Sequence, residues 1–301
     1  MIGDHRVIKA LLLSLLGMAS NAIAGDAAPA TPSQIGVGAQ YDTTHVYVAP
    51  EDVGRFAESF LATFGGQSTK QVVVTVTPTS SSTTSQLLQT PVGTVSLFGF
   101  KTPIPYPFGF ERTGYLVTDM DKAITLAKSS GADIVVADFP DPIGRDAVIQ
   151  WPGGINMQIY WHTTKPSYAA FETIPENRVY VSPLRADAFT QDFLRFSHGK
   201  VVSDESPAPG IEVGRPDAGY RRIRIESVFG KMTVFVTEGH LPYPYGRELT
   251  GYEVGNLKDT LAKATASGAT ILVEPFTSEA RTSAIVQFPG GYIAEIHAPA
   301  N

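Results

Sequence analysis

"PYPYGRELTGYEV" at 242–254 nearly repeats "PYPFGFERTGYLV" at 105–117, an offset of 137 residues. A fixed offset matters before any element is assigned, because a missed repeat misassigns the whole fold. The echo continues at the same spacing. "GADIVV" at 131–136 answers "GATILV" at 268–273, and "VIQWPGGINMQI" at 148–159 answers "IVQFPGGYIAEI" at 285–296. Nearer the start of each copy the offset is 133, pairing "THVYVAP" at 44–50 with "NRVYVSP" at 177–183 and "FAESFLATFGG" at 56–66 with "FTQDFLRFSHG" at 189–199. Differences in loop length account for the change, and two equivalent modules follow.

Each module repeats one order of elements twice. "HVYVAP" alternates as a strand does, and Phe56, Phe60 and Phe64 then recur every four residues, which places three rings on one helical face. Gly65 and Gly66 stop that helix. "KQVVVTVTP" and "GTVSLFGF" are rich in β-branched residues and read as strands. The pattern restarts with the strand "TGYLVTD". Asp119 or Asp121 caps the helix "KAITLAKSSG", and "DIVVAD", "AVIQW" and "NMQIYW" are three further strands. The chain is therefore α+β, with four tandem βαβββ units in two modules, 41–165 and 177–301, joined by a linker at 166–176.

The first 24 residues read as a cleavable signal peptide: a basic start with Arg6 and Lys9, the short apolar run "ALLLSLLGMA", and "NAIA" before a cut after Ala24. That run is too short to span a bilayer, so stable membrane insertion is not expected. Residues 25–40, beginning "GDAAPATPSQ", read as a linker. The expected destination is the periplasm or the exterior. The chain has no cysteine, which rules out a thiolate metal site, a cysteine nucleophile and a lipoprotein anchor. The formal charge is −6, and the short "YRRIRI" at 220–225 reads as a strand with one solvated face, so nucleic acid is not an expected partner.

The doubled order, with "GYLVTDMDKAITLAKSSGADIVVADFPDPIGRDAVIQWPGGINMQIYW" in the first module, resembles the vicinal oxygen chelate superfamily of glyoxalase I, bleomycin-resistance proteins and extradiol dioxygenases. Asp119, Ala123, Gly131, Ala132, Gly144, Arg145, Pro152 and Gly153 stand in that family's second-half pattern. The resemblance implies two half-open, eight-stranded β-barrel modules, each curved around a hollow. The repeated Pro-rich phrase is then the crossover between the two halves of a module, where Pro105, Pro107 and Gly109, like Pro242, Pro244 and Gly246, fix a turn. Tyr106, Phe108, Tyr243 and Tyr245 are expected at the hollow's rim or between modules.

Metal-dependent members of the family, as the resemblance implies, carry ligands on the first strand, on the strand opening the second half and near the end of the last strand. Those positions hold His45 and Gln158 in module one, and Arg178 and Glu295 in module two, while "ERTGY" at 111–115 and "ELTGY" at 248–252 offer no histidine. Two weak donors hold a divalent ion poorly, and a guanidinium at a ligand position repels one. No metal ligand is therefore assigned, although a cluster of Glu295, His297 and Glu238 or His240 is the alternative through which a divalent metal would bind. An Arg178–Glu295 salt bridge is the plainer expectation.

The expected role is binding of a small apolar or aromatic organic molecule, with His45, Tyr47, Gln158 and Tyr160 lining module one and Arg178, Tyr180, Glu295 and His297 lining module two. Two other uses stand beside it. One is a lyase, isomerase or dioxygenase of the same family, with His45 as the catalytic general base or with an unusual metal site. The other is a scaffold that binds a partner through two long loops, "TPTSSSTTSQLLQTPVG" at 77–93 and "SDESPAPGIEVGRPDAG" at 203–219; whether the modules pair with each other or across a homodimer is left open by the sequence.

Overall fold

The computed structural model describes residues 34–300. The signal peptide expected at 1–24 and most of the linker expected after it lie outside the described residues. The end of that linker does not hang free: Ile35 is buried, Gly36 bridges to Val117, and Val37 N–H donates to Leu116 O at 2.9 Å.

Module one runs β1 (Thr43–Val48), α1 (Val53–Phe64), β2 (Gln67–Ser68), β3 (Val72–Val74), β4 (Thr83–Thr90) and β5 (Gly93–Phe100), then β6 (Thr113–Leu116), α2 (Met120–Ser129), β7 (Asp133–Asp141), β8 (Gly144–Trp151) and β9 (Ile155–His162). Module two runs β10 (Glu176–Val181), α3 (Pro183–Ser197), β11 (Lys200–Pro209), β12 (Gly219–Ser227) and β13 (Gly230–Val236), then β14 (Leu249–Glu253), α4 (Leu257–Ala266), β15 (Thr270–Ser278), β16 (Arg281–Gln287) and β17 (Ile293–Pro299). Each module makes one mixed sheet. The central strands are ordered β4, β5, β1, β6, β9, β8, β7 in module one and β12, β13, β10, β14, β17, β16, β15 in module two. Module one has nine strands rather than eight, because β2 and β3 both pair with β4.

Both long loops expected from the sequence are corrected. Residues 83–90, inside the Ser/Thr-rich stretch, form β4 and pair with β5 along its whole length. Threonine is β-branched and suits a strand, and Leu88, fully buried, anchors this one to the core. Likewise 203–209 belongs to β11, paired with β12 across two register shifts, and a short 3-10 turn at Gly210–Val213 follows. The scaffold reading loses the loops on which it stood.

Helix signals are realised as read. Asp119 caps α2 by accepting the Lys122 N–H at 3.1 Å. Gly65, at φ 78°, closes α1 with its N–H on Leu61 O at 2.8 Å. The crossover turns repeat too, with Gly109 at φ 89° and Gly246 at φ 83°.

Strand alternation separates two faces on every sheet. On β1, Val46 and Val48 face the helices, whereas Thr43, His45 and Tyr47 face the hollow. The helix-side faces of the two modules meet, and they do so crosswise. One core joins β6, α2, β8 and β9 of module one to β10, α3, β12 and β13 of module two. The other joins β1, α1, β4 and β5 to β14, α4, β16 and β17. Phe56, Phe60 and Phe64 thus pack on Tyr252, Phe288 and Tyr292 of the other module, with Phe60 5.3 Å from Phe288 and 5.6 Å from Tyr252. Polar pairs at the seam are reciprocal: Thr113 donates to Asn177 Oδ1 at 3.2 Å, and its repeat-mate Thr250 lies 3.3 Å from Thr44, the repeat-mate of Asn177. The modules pair with each other within one chain. Among the described residues no helix is long and apolar enough to cross a membrane.

Because each core needs both modules, damage to one should unfold the other. Phe60→Ala is expected to cost about 3–5 kcal/mol. Trp151 sits in the opposite core, so its fluorescence in urea should report the lowered midpoint as one transition. A second transition, or an unmoved Trp151 signal, would contradict the shared core.

Candidate functional site in the hollow of module one

The sheet of module one curls around a cavity of about 330 Å³. Its walls are apolar: Val74 and Leu87 come from the edge strands, Phe98 from β5, Phe108 from the crossover and Ile143 from the β7–β8 turn. Its floor is the polar face of β1, β6, β8 and β9. Thr43 pairs with Gly114 and Gly114 with Gln158, so one row crosses three strands. His45, Asp146 and Tyr160 form its continuation, with Asp146 directly opposite Tyr160.

All four residues expected in this hollow line it together: His45, Tyr47, Gln158 and Tyr160. His45 is 2% exposed and stands edge-on to Phe98, with centroids 5.5 Å apart. Its Nδ1 lies 3.5 Å from the fully buried carboxylate of Glu111, which also accepts the Tyr47 hydroxyl. Tyr160 donates its hydroxyl to Tyr41 O. Gly114 leaves a niche in the floor: a Cβ there would sit 2.5 Å from His45 Nε2, 2.9 Å from the Tyr160 ring and 3.0 Å from Thr43 Oγ1.

Three contributors escaped the sequence. Glu111 stands where the resemblance implies a histidine, and its recurrence as Glu248 is the signal in the sequence that marks it. Asp146 sits on the face of β8 that faces the hollow, next to Arg145, and an Arg-Asp pair in a strand reads as solvated. Phe108 was placed at a rim but is 4% exposed and packs on Phe139. Burial, then the charge of Asp141, holds the Asp146 carboxyl well above the usual carboxylate range, against a hydrogen bond from Gln158.

The same positions in module two hold each other. Arg178, at the place of His45, lies 3.2 Å from Glu176 and 3.3 Å from Glu295, and Arg281 reaches Glu176 at 3.1 Å. His297 Nδ1 is 2.7 Å from Glu295. The Arg178 guanidinium sits 4.7 Å from the Phe235 ring, and Tyr180 stacks on that ring at 4.9 Å. Burial alone would raise Glu295, but Arg178, His297 and Arg281 outweigh it and hold this carboxyl at about 2. Glu238 and His240 are exposed and do not join Glu295 and His297.

A protein-held divalent metal does not fit either hollow. In module one the middle strand offers Gly114 where a donor would be needed, so His45 Nε2 is left without a second strong donor beside it. In module two two guanidiniums occupy the ground between the carboxylates. Among the described residues no three His, Asp or Glu side chains converge as a metal-binding group.

Glu111 has a second neighbour of like sign, its repeat-mate Glu248, with Arg112 close to both. Burial and Glu111 push Glu248 up to about 8, and Arg112 only partly offsets this. Between the ordinary 4.5 and 8 the folded chain keeps a proton that the unfolded chain releases, so this group's contribution to stability falls as pH rises through that window. Glu248→Gln is expected to flatten the fall, read as melting midpoint against pH from 5 to 9. An unchanged slope would remove Glu248 as its source.

No family model and no curated protein sequence matches this chain. Solved structures do. A triple mutant of 4-hydroxymandelate synthase from Streptomyces coelicolor superposes with a TM-score of 0.59 at 12% identity, over 89% of this chain and 94% of that one. The Mn(II)-bound glyoxalase from Novosphingobium aromaticivorans gives 0.51 at 12% identity over 88% and 82%. The 2,3-dioxygenase LapB from Pseudomonas sp. KL28 gives 0.51 at 10% identity over 89% and 94%. Likeness at such identity concerns the fold.

Proposed function

On the vicinal oxygen chelate fold that these likenesses show, we propose that the chain is an exported binding protein whose module-one hollow holds a small, largely apolar or aromatic organic molecule without a protein-held metal. One observation carries this: the same sheet face is open around 330 Å³ in module one and closed by ion pairs in module two. An apolar pocket with a few converging polar groups is the usual form of a small-molecule site. Module two then acts as the rigid half, completing the cores behind the module-one sheet.

Ligands that bind only the folded chain raise its melting midpoint by mass action. A panel of aromatic and alicyclic small molecules should therefore contain members that raise it, and Ser96→Phe, which fills the cavity from β5, should abolish those shifts. The chain purified after export should have a mass beginning at Gly25 and carry no stoichiometric zinc, iron or manganese. Shifts that survive Ser96→Phe, or a stoichiometric metal, would overturn the reading.

A second reading, proton transfer, draws on the Glu111 carboxylate behind His45. Glu111 lies 3.5 Å from Nδ1 without a hydrogen bond formed; closing that gap on substrate binding would favour the tautomer with a free Nε2 pair facing the hollow, the form of a general base. Deuterium exchange at the α-carbon of phenylacetone, followed by NMR, should then be accelerated by the protein and fall about 100-fold or more in Glu111→Gln. Equal exchange by wild type and His45→Ala would remove it.

A further inference from the structure

The hollow of module one carries acid without permanent base. Asp141 and Asp146 line it, and no lysine or arginine does. Asp146 is 7% exposed and enters no ion pair among the described residues. Its chain neighbour Arg145 leaves by the opposite face of β8 and pairs with Asp121, at 2.8 Å, and with Asp138. Asp141 uses one oxygen on the Ile143 N–H at 2.7 Å and is otherwise uncommitted. Thr43 Oγ1, on a residue 5% exposed, faces the same space with no hydrogen-bond partner. Polar groups buried in that state are left for something that enters.

Module two shows what this sheet does with a cation. There a guanidinium lies over Phe235 between two carboxylates. Phe98 holds the place of Phe235 in module one, opposite Tyr47 as Phe235 is opposite Tyr180. The arginine is replaced by His45, and the space it would have filled is part of the cavity.

We propose that the module-one cavity selects small organic cations, amines whose ammonium is held by Asp146 while an aromatic body lies against Phe98 and Phe108. The inference rests on the reading that this cavity binds a small organic molecule and narrows its class. An ammonium finds a buried carboxyl, aromatic faces and the Thr43 hydroxyl as acceptor. A carboxylate ligand finds two acids and no permanent cation, so nothing in the site offsets the cost of its desolvation.

Calorimetry on the mature chain with 1-naphthylmethylamine, 1-naphthylmethanol and 1-naphthoate separates the cases. The amine should bind about 10-fold or more tighter than the alcohol, and the carboxylate weakest. Asp146→Asn should erase the preference, bringing the amine down to the level of the alcohol. Should that variant not fold, Asp141→Asn, at the rim, is expected to narrow the amine-to-alcohol ratio by about 3-fold. An amine no tighter than the alcohol, or indifferent to these substitutions, overturns the inference while alcohol binding keeps the broader reading. No binding of any of the three overturns both.

Discussion

The structure depends on a hydrophobic contact that neither module can make by itself. Each sheet presents a helix-side face in two halves, and each half is completed by the opposite half of the other module. Phe60 touches Phe64 on its own helix, but also Tyr252 and Phe288 from 192 or more residues away in the chain. Apolar burial at about 25 cal/mol per Å² is the main favourable term in such a chain, and here it is earned only when both modules are present. The seam's reciprocal Thr113–Asn177 and Thr44–Thr250 pairs fix the register of that contact.

With the helix-side faces spent on each other, the concave faces are the ones left over. They have taken opposite courses at matched positions. In module two, Glu176, Arg178 and Glu295 replace Thr43, His45 and Gln158, and the long guanidinium fills the hollow. Burying that cation is costly by itself, and two carboxylates with Arg281 beyond them are what make it tolerable. In module one the shorter residues leave a void lined by the Thr43 hydroxyl and by the Asp146 carboxyl, which enters no ion pair among the described residues. Gly114 and Gly251 stand at the same spot in both, hemmed by His45 Nε2 in one and by Glu295 in the other. Duplication supplied the frame, and the charge balance at three positions decided which copy stayed open.

The repeat made the architecture legible, since a fixed offset transfers every element from one copy to the other. Strand alternation then put His45 and Tyr47 on one face and Val46 on the other without reference to coordinates. β4 and β11 were not legible. Their sequences are rich in Ser, Thr, Asp and Pro, residues that also build turns, and what makes them strands is pairing with β5 and β12 rather than local preference. The site was half legible. Residues chosen by the resemblance were found around one cavity in module one, but the empty space itself depends on volumes across strands, which spacing along a chain does not encode. Glu111 and Asp146 were hidden for a related reason: a carboxylate in a strand reads as solvated until its burial is known.

Filling and vacancy also have different consequences for rigidity. The module-two hollow is held by charge-assisted contacts from β10, β16 and β17, so its strands are fixed by interactions present in the free chain. Module one has no such clamp across its hollow. Its edge includes the three-residue β3, with Val72 and Val73 exposed and Val74 lining the cavity, paired among the described residues with β4 alone. A ligand that touches β3, β5 and β8 at once would supply the cross-strand contact that module two draws from its own side chains. Stability of the open module would then rise with ligand through linkage, and the shared cores would carry that gain into module two. With one hollow closed by its own arginine and the other open, the fold's stability would become a readout of occupancy if a guest bound.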